Sequence, residues 1–129
     1  MTVWTPTALS GSDAVDLQVA QWGNGTGSSI KVGDTFLPLA RGDLVDRSIQ
    51  VEGTFGGATI NILGSNDNTV QNPTNGNFHP LHDPFNNLIN ISAAGLFQIL
   101  EITAWMMPQM SGASGSTNLT ITTCQRLSR

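Results

Sequence analysis

Charged side chains are scarce in this chain: 11% of its 129 residues, five Lys or Arg against nine Asp or Glu, where soluble domains average about 25%. That shortage excludes one class of partner. A nucleic-acid backbone is held by clustered Lys and Arg, and five basic residues in a chain of net charge −4 form no such cluster. Cysteine is scarcer still, because Cys124 stands alone and no disulfide can close within the chain. No apolar run is long enough to cross a membrane, and no cationic start leads into an apolar core, so neither a membrane partner nor a signal peptide is expected.

Ser, Thr, Asn, Gln and Gly take the place of the missing charges. A surface of neutral polar groups is easy to desolvate against another protein, which points to a chain that works inside an assembly. The length suits one domain. A chain of this size buries roughly two-thirds of the surface its unfolded state exposes, so it needs neither metal nor disulfide to fold.

The most patterned stretch is Asp46–Asn68, DRSIQVEGTFGGATINILGSNDN. Ile49, Val51 and Phe55 share one face of a two-residue period, with Ser48, Gln50, Glu52 and Thr54 on the other. Gly56 and Gly57 supply the positive φ of a tight turn, and Ile60 and Ile62 resume the apolar face with Asn61 outward. The pattern predicts a β-hairpin with its Ile49 face buried.

On either side the chain reads as short strands between turns. Residues 1–12 hold Trp4 and Pro6 without periodicity and are expected to form an extended arm that reaches a neighbour. Val15, Leu17 and Val19 alternate as a strand that leads to Trp22 and the loop GNGTGSS. Ile30 and Val32 form a short strand, Gly33-Asp34 a turn, and Phe36–Leu39 an apolar stretch that Pro38 confines to a sheet edge or connection. Gln71–Pro84, broken by prolines, is expected as an outer loop. Ile89 and Ile91 mark a strand. Leu96, Phe97, Ile99, Leu100 and Ile102 would suit a buried helix, but the tail Ile102–Met106 fits a strand better, so a turn at Ala93–Gly95 with strand beyond it is expected, and Pro108 and SGASGSTN make the next turn. Leu119, Ile121 and Thr123 alternate in a last strand, and residues 126–129 are an exposed tail. The sum is an all-β fold: an antiparallel β-sandwich over 13–125, of jelly-roll or related Greek-key order.

Candidate chemistry is thin. His79 and His82 with Asp83 are the one gathering of imidazoles and a carboxylate, but Pro80 and Pro84 oppose the helix that would put both rings on one face, so no metal site is assigned. Cys124, on the strand face opposite Ile121, has no paired base in view and no catalytic role is given to it. The acidic residues are too scattered to propose a carboxylate pair. Asp67 lacks the ligand ladder of a calcium loop and is read as a turn cap. The sequons at Asn24, Asn90 and Asn118 carry no weight without secretion. No catalytic residue and no cofactor are therefore assigned. The candidate interface anchors are Trp4, Pro6, Trp22, Trp105, Met106 and Met107, since aromatic residues and methionine are enriched where proteins meet.

The phrase DRSIQVEGTFGGATINILGSNDN, followed by AAG, a proline, a Ser-Gly turn and a Thr-rich final strand, resembles the head decoration, or capsid cement, proteins of tailed phages. The similarity is strongest over Asp46–Asn68 and fainter through Asn87–Thr123. It departs in the longer loop around Asn72–His82 and in Met106-Met107-Pro108, where a basic residue before the proline is more usual. The resemblance implies a non-enzymatic virion protein on the capsid exterior, assembled in the host cytoplasm. Its partners would be the major capsid protein and further copies of itself, as a dimer rather than a trimer. A different class stays open: a carbohydrate-binding β-sandwich of a phage tail or fibre, with Trp4, Trp22 and Trp105 as a sugar-stacking platform.

Overall fold

The computed structural model describes residues 1–8, 17–23, 29–40, 44–67 and 77–127. Among them the chain runs as β1 (Val3–Trp4), β2 (Thr7–Ala8), β3 (Leu17–Trp22), β4 (Thr35–Phe36), β5 (Leu39–Ala40) and β6 (Leu44–Thr54). It continues as β7 (Thr59–Ser65), β8 (His79–Pro80), β9 (Asn90–Ile91), β10 (Gly95–Ile99), β11 (Trp105–Ser111) and β12 (Asn118–Leu127). Two five-stranded sheets form, one of order β10-β6-β12-β3-β2 and the other β5-β11-β7-β8 with β9 also on β7, and β1 and β4 make a separate two-stranded sheet. Both five-stranded sheets are antiparallel. They pack into an all-β sandwich.

The two-residue period builds the core. Ile49 and Val51 of β6, Leu119 and Ile121 of β12 and Trp22 of β3 turn inward from the first sheet, against Ile60 and Ile62 of β7 and Met106 of β11 from the second. Phe36, Leu81, Ile89 and Ile91 complete it. Each such side chain, fully buried, contributes roughly 1.5–3 kcal/mol.

The faces read from Asp46–Asn68 are therefore right, but the hairpin is not. β6 and β7 never pair: β6 lies between β10 and β12, and β7 pairs with β11. The Phe55–Ala58 turn forms as expected, with Gly56 at φ 58, Gly57 at φ 91 and Ala58 N donating to Phe55 O at 2.9 Å. It leads the chain from one sheet to the other. A hairpin and such an arch need the same alternation and the same turn residues; in the arch the two apolar faces look at each other across the core instead of lying side by side.

The turn is held by the Ser-rich segment between β11 and β12. Ser114 Oγ donates to Gly56 O at 2.7 Å and Thr117 Oγ1 to Phe55 O at 2.8 Å. A Cβ on Gly56 would lie 2.6 Å from Ser116 Oγ. Gly53 is equally constrained, at φ 118 with the Asn118 carbonyl oxygen 2.1 Å from where a Cβ would stand.

Other expectations shift in place. Pro108 sits inside β11 opposite Ile62, not in a turn. β5 reaches only Trp105 and Met106, so beyond them the other edge of β11 has no partner strand among the described residues, and a missing N–H there breaks no ladder bond. His79–Pro80, expected as loop, forms an edge strand on β7. Ile30 makes only a bridge to Leu119, while Val32 is exposed in the turn that closes on Asp34. Arg126 and Leu127, expected as tail, continue β12 against β6. The arm boundary at residues 12 and 13, Val15, Asn24 and residues 128–129 lie outside the described residues.

Candidate interaction surface

Asp34 is where the N-terminal segment is fastened. Its Oδ1 accepts from Thr2 N at 2.8 Å, and its Oδ2 accepts from Trp4 Nε1 and from Lys31 N, each at 2.9 Å. Partial burial alone would raise the carboxyl's pKa; the N–H groups of Lys31 and Thr2, the Trp4 indole and the N-terminal charge outweigh it and hold Asp34 below the usual carboxylate range. β1 pairs in parallel with β4, through Thr35 N to Thr2 O at 2.9 Å and Leu37 N to Trp4 O at 2.8 Å, and β2 pairs with β3. The segment expected to reach a neighbour thus lies along its own domain, with the half-buried Trp4 packed against the core.

Of the six anchors named from sequence, three are corrected. Trp22 and Met106 are core side chains, at 0% and 1% exposure, and Trp22 Nε1 donates to Leu37 O at 3.0 Å. Met107 is buried at 7% on the opposite face of its sheet, in register with the equally covered Leu63. A side chain already covered by its own chain has no surface to give a partner. Trp4, Pro6 and Trp105 are partly exposed.

The histidines do not come together with a third ligand. His79 is exposed on β8, and His82 lies beside Glu101, with Nδ1 3.4 Å from Oε1 and its backbone N donating to the same oxygen. The described residues contain no group of three or more His, Cys, Asp or Glu side chains able to hold a metal ion. Cys124 is half-buried in β12, flanked in register by Val19 and Ser48. Asp67 N donates to Ser65 Oγ at 3.1 Å, and its carboxylate accepts from Asn77 Nδ2 at 3.3 Å.

Arg47 was missed from sequence. It shares the inward parity of Ile49 and Val51, and the register shift near Asp46, which adopts φ 52, coincides with its placement in the interior at 2% exposure. There its guanidinium donates to the carbonyls of Glu101, through NH2, and Thr103, at 3.5 Å, while burial pushes its pKa down. Asp46 itself pairs with Arg126 on the surface. The sole signal was an arginine at a core position of a strand pattern.

The outer face of the first sheet is a surface that runs across five strands. Cross-strand register sets Thr7, Gln21, Thr122, Gln50 and Leu96 in one row across five strands. Val19, Cys124, Ser48 and Gln98 form the next. Gln21 Nε2 donates to Thr122 Oγ1 at 3.0 Å, and Gln50 Nε2 to Oε1 of Glu52, also at 3.0 Å. Neither row contains a charged side chain; Glu52, opposite Thr120, stands on the same face in the row beyond. The described residues also hold no helix long and apolar enough to cross a membrane.

No family model, curated protein or solved structure matches this chain.

Proposed function

We propose that this is a structural virion protein of a tailed phage that binds the outer capsid surface and stabilises the head. The observation that carries the reading is the outer face of the first sheet, where two cross-strand rows of Thr, Gln, Ser and apolar side chains have no charge and Glu52, in the row beyond, accepts from Gln50. Such a face is removed from water at little electrostatic cost, where a charged one needs matched partners. The phrase in Asp46–Asn68 adds the resemblance to capsid cement.

The strand order supports the finer jelly-roll reading. From β5 through β7 the chain alternates between sheets, and it does so again from β9 through β12, leaving β10-β6-β12-β3 facing β5-β11-β7-β8. The work on this reading is mechanical: a stiff sandwich adds contacts across capsid subunit boundaries, and a modest interface repeated over a shell gains strength through multivalency. The partners are the major capsid protein and other copies of this chain, on the capsid exterior, with no substrate turned over. The carbohydrate reading has less support, since Trp22 is fully buried and Trp4 packs against the core, which leaves Trp105 as the tryptophan not packed there.

The test is the composition and strength of the particle. Purified virions should carry the protein in hundreds of copies, as expected for multivalent cover of a shell, and particles lacking it should release DNA at a lower temperature. Its absence from virions, or presence in only tail-like numbers, overturns the reading.

A further inference from the structure

Unpaired strand edges invite another strand, and proteins blunt them with shortness, proline or charge. The other open edges here are blunted: β2, β5, β8 and β9 have two residues each, β5 follows Pro38, β8 ends in Pro80, and the edge of β11 beyond Met106 is interrupted by Pro108. β10 is different. It has five residues, Gly95–Ile99, without proline or charge, and its outer edge pairs with no strand among the described residues.

Beside that edge lies a groove of about 400 Å³ with Leu88, Ile91, Leu96 and Phe97 on its walls. Leu96 is 68% exposed and Phe85 84%. Phe85 is presented on a tight turn: the Asp83 carboxylate accepts from Phe85 N at 2.9 Å and from Asn87 N at 3.0 Å, and Asp83 N donates to Asn87 O at 2.8 Å. A large aromatic held out in water on a stapled turn marks an interface.

We propose that the β10 edge is where two copies of this chain associate, pairing their β10 strands antiparallel about a two-fold axis. The two first sheets then run on as one, and Phe85 and Leu96 of each copy cover the groove of the other. A two-fold contact needs a projection and a recess on the same patch, and this surface has both. That self-complementary shape selects a second copy as the occupant. Two chains of net charge −4 repel in general; β10 itself adds no charge to that cost, and Asp83 on the groove wall already accepts from the Phe85 and Asn87 amides. The proposal locates the self-association within the capsid reading, yet is measured on purified protein: failure to dimerise leaves capsid binding standing, and absence from virions leaves the dimer standing.

Sedimentation equilibrium over a concentration series, up to about 1 mM to reach weak association, should show a reversible dimer. Phe85→Ser and Leu96→Lys should each weaken it, on the order of a hundredfold, while Val32→Lys, an exposed change outside the groove, leaves it intact. Amide exchange of the wild type should slow with concentration in β10 and not in β5. A wild type that stays monomeric, or a dimer that both variants leave unchanged, overturns the proposal. Should circular dichroism show either variant misfolded, the wild-type exchange decides: protection that rises with concentration in β10 supports the edge, and its absence there refutes it.

Discussion

Trp4 Nε1 donates to Oδ2 of Asp34 at 2.9 Å, across thirty positions of sequence, and so ties the first strand of the chain to the turn before β4. The same carboxylate accepts from Thr2 and Lys31, so one ionised group holds three N–H donors. Its charge adds to the β1–β4 and β2–β3 pairing and the Trp4 packing that hold the N-terminal segment down.

That dependence has a sign. The folded pKa of Asp34 lies below its unfolded value near 3.8, so its stabilisation is fully present above that value and is lost as pH falls through the folded pKa. Protection of the Thr2 and Lys31 amides, which donate to Asp34, measured against the intrinsic exchange rate at each pH, should therefore be high at neutral pH and fall in acid before the core opens. Asp34→Asn should abolish the acid step and leave those amides fast throughout; an unchanged step in that variant would assign the transition to another group.

Inward and outward positions of β6 should separate cleanly. Val51 is fully buried while Gln50, its neighbour, is exposed between Leu96 and Thr122 in register. Val51→Asp places an unpaired carboxylate in the core and should cost on the order of 3–5 kcal/mol. Gln50→Asp should stay within about 0.5 kcal/mol. Urea denaturation of the two proteins measures the difference, and equal midpoints would put the strand in the other register.

The alternation that makes this prediction possible is legible in the sequence alone, and its limit is instructive. Ile49, Val51, Ile60 and Ile62 announce their faces because side chains alternate about a strand. They do not announce their partners, because a strand's neighbours are chosen by the whole sheet, and the Gly56-Gly57 turn serves a hairpin and an arch alike. Trp22 and Met106 show a second limit: a large apolar residue signals burial without saying whether its own chain or another covers it. The His82–Glu101 pair and the two carbonyls on Arg47 depend on segments brought together only by the fold. Local pattern contains nothing of them.

Gly53 tests the close approach of β6 and β12. At φ 118, with the Asn118 carbonyl oxygen 2.1 Å from the site of a Cβ, Gly53→Ala meets both backbone strain and a clash that no side-chain rotation relieves. A loss of roughly 2 kcal/mol or more is expected. Gly115→Ala, with nothing within 4 Å of its Cβ position, should be nearly silent in the same melt.

Arg47 should behave as a strut in the crossover from β10 to β11. Arg47→Ala removes both donors from the carbonyls of Glu101 and Thr103 and leaves a cavity, for a cost of about 3 kcal/mol. Arg47→Met fills the space and spares the buried charge, so it should melt well above the alanine variant. If methionine is as damaging as alanine, the hydrogen bonds and not the packing carry the effect.

The N-terminal segment separates two mechanisms by where its loss is felt. Deleting residues 2–5 takes away β1, the Trp4 packing against the core and two of the three donors on Asp34. If the segment serves its own domain, as its pairing with β4 describes, the truncated protein should melt lower by roughly 5 °C at every protein concentration, since about 1 kcal/mol shifts a domain of this size by a few degrees. Were the segment instead exchanged with a neighbour, the loss would appear only where the intact protein is associated and would vanish on dilution, because only association makes stability depend on concentration. Melting both proteins across a hundredfold dilution, a range chosen to span weak association, reads that difference directly. A deficit that survives dilution assigns the segment to the fold, and leaves the β10 edge as the surface on which self-association is tested.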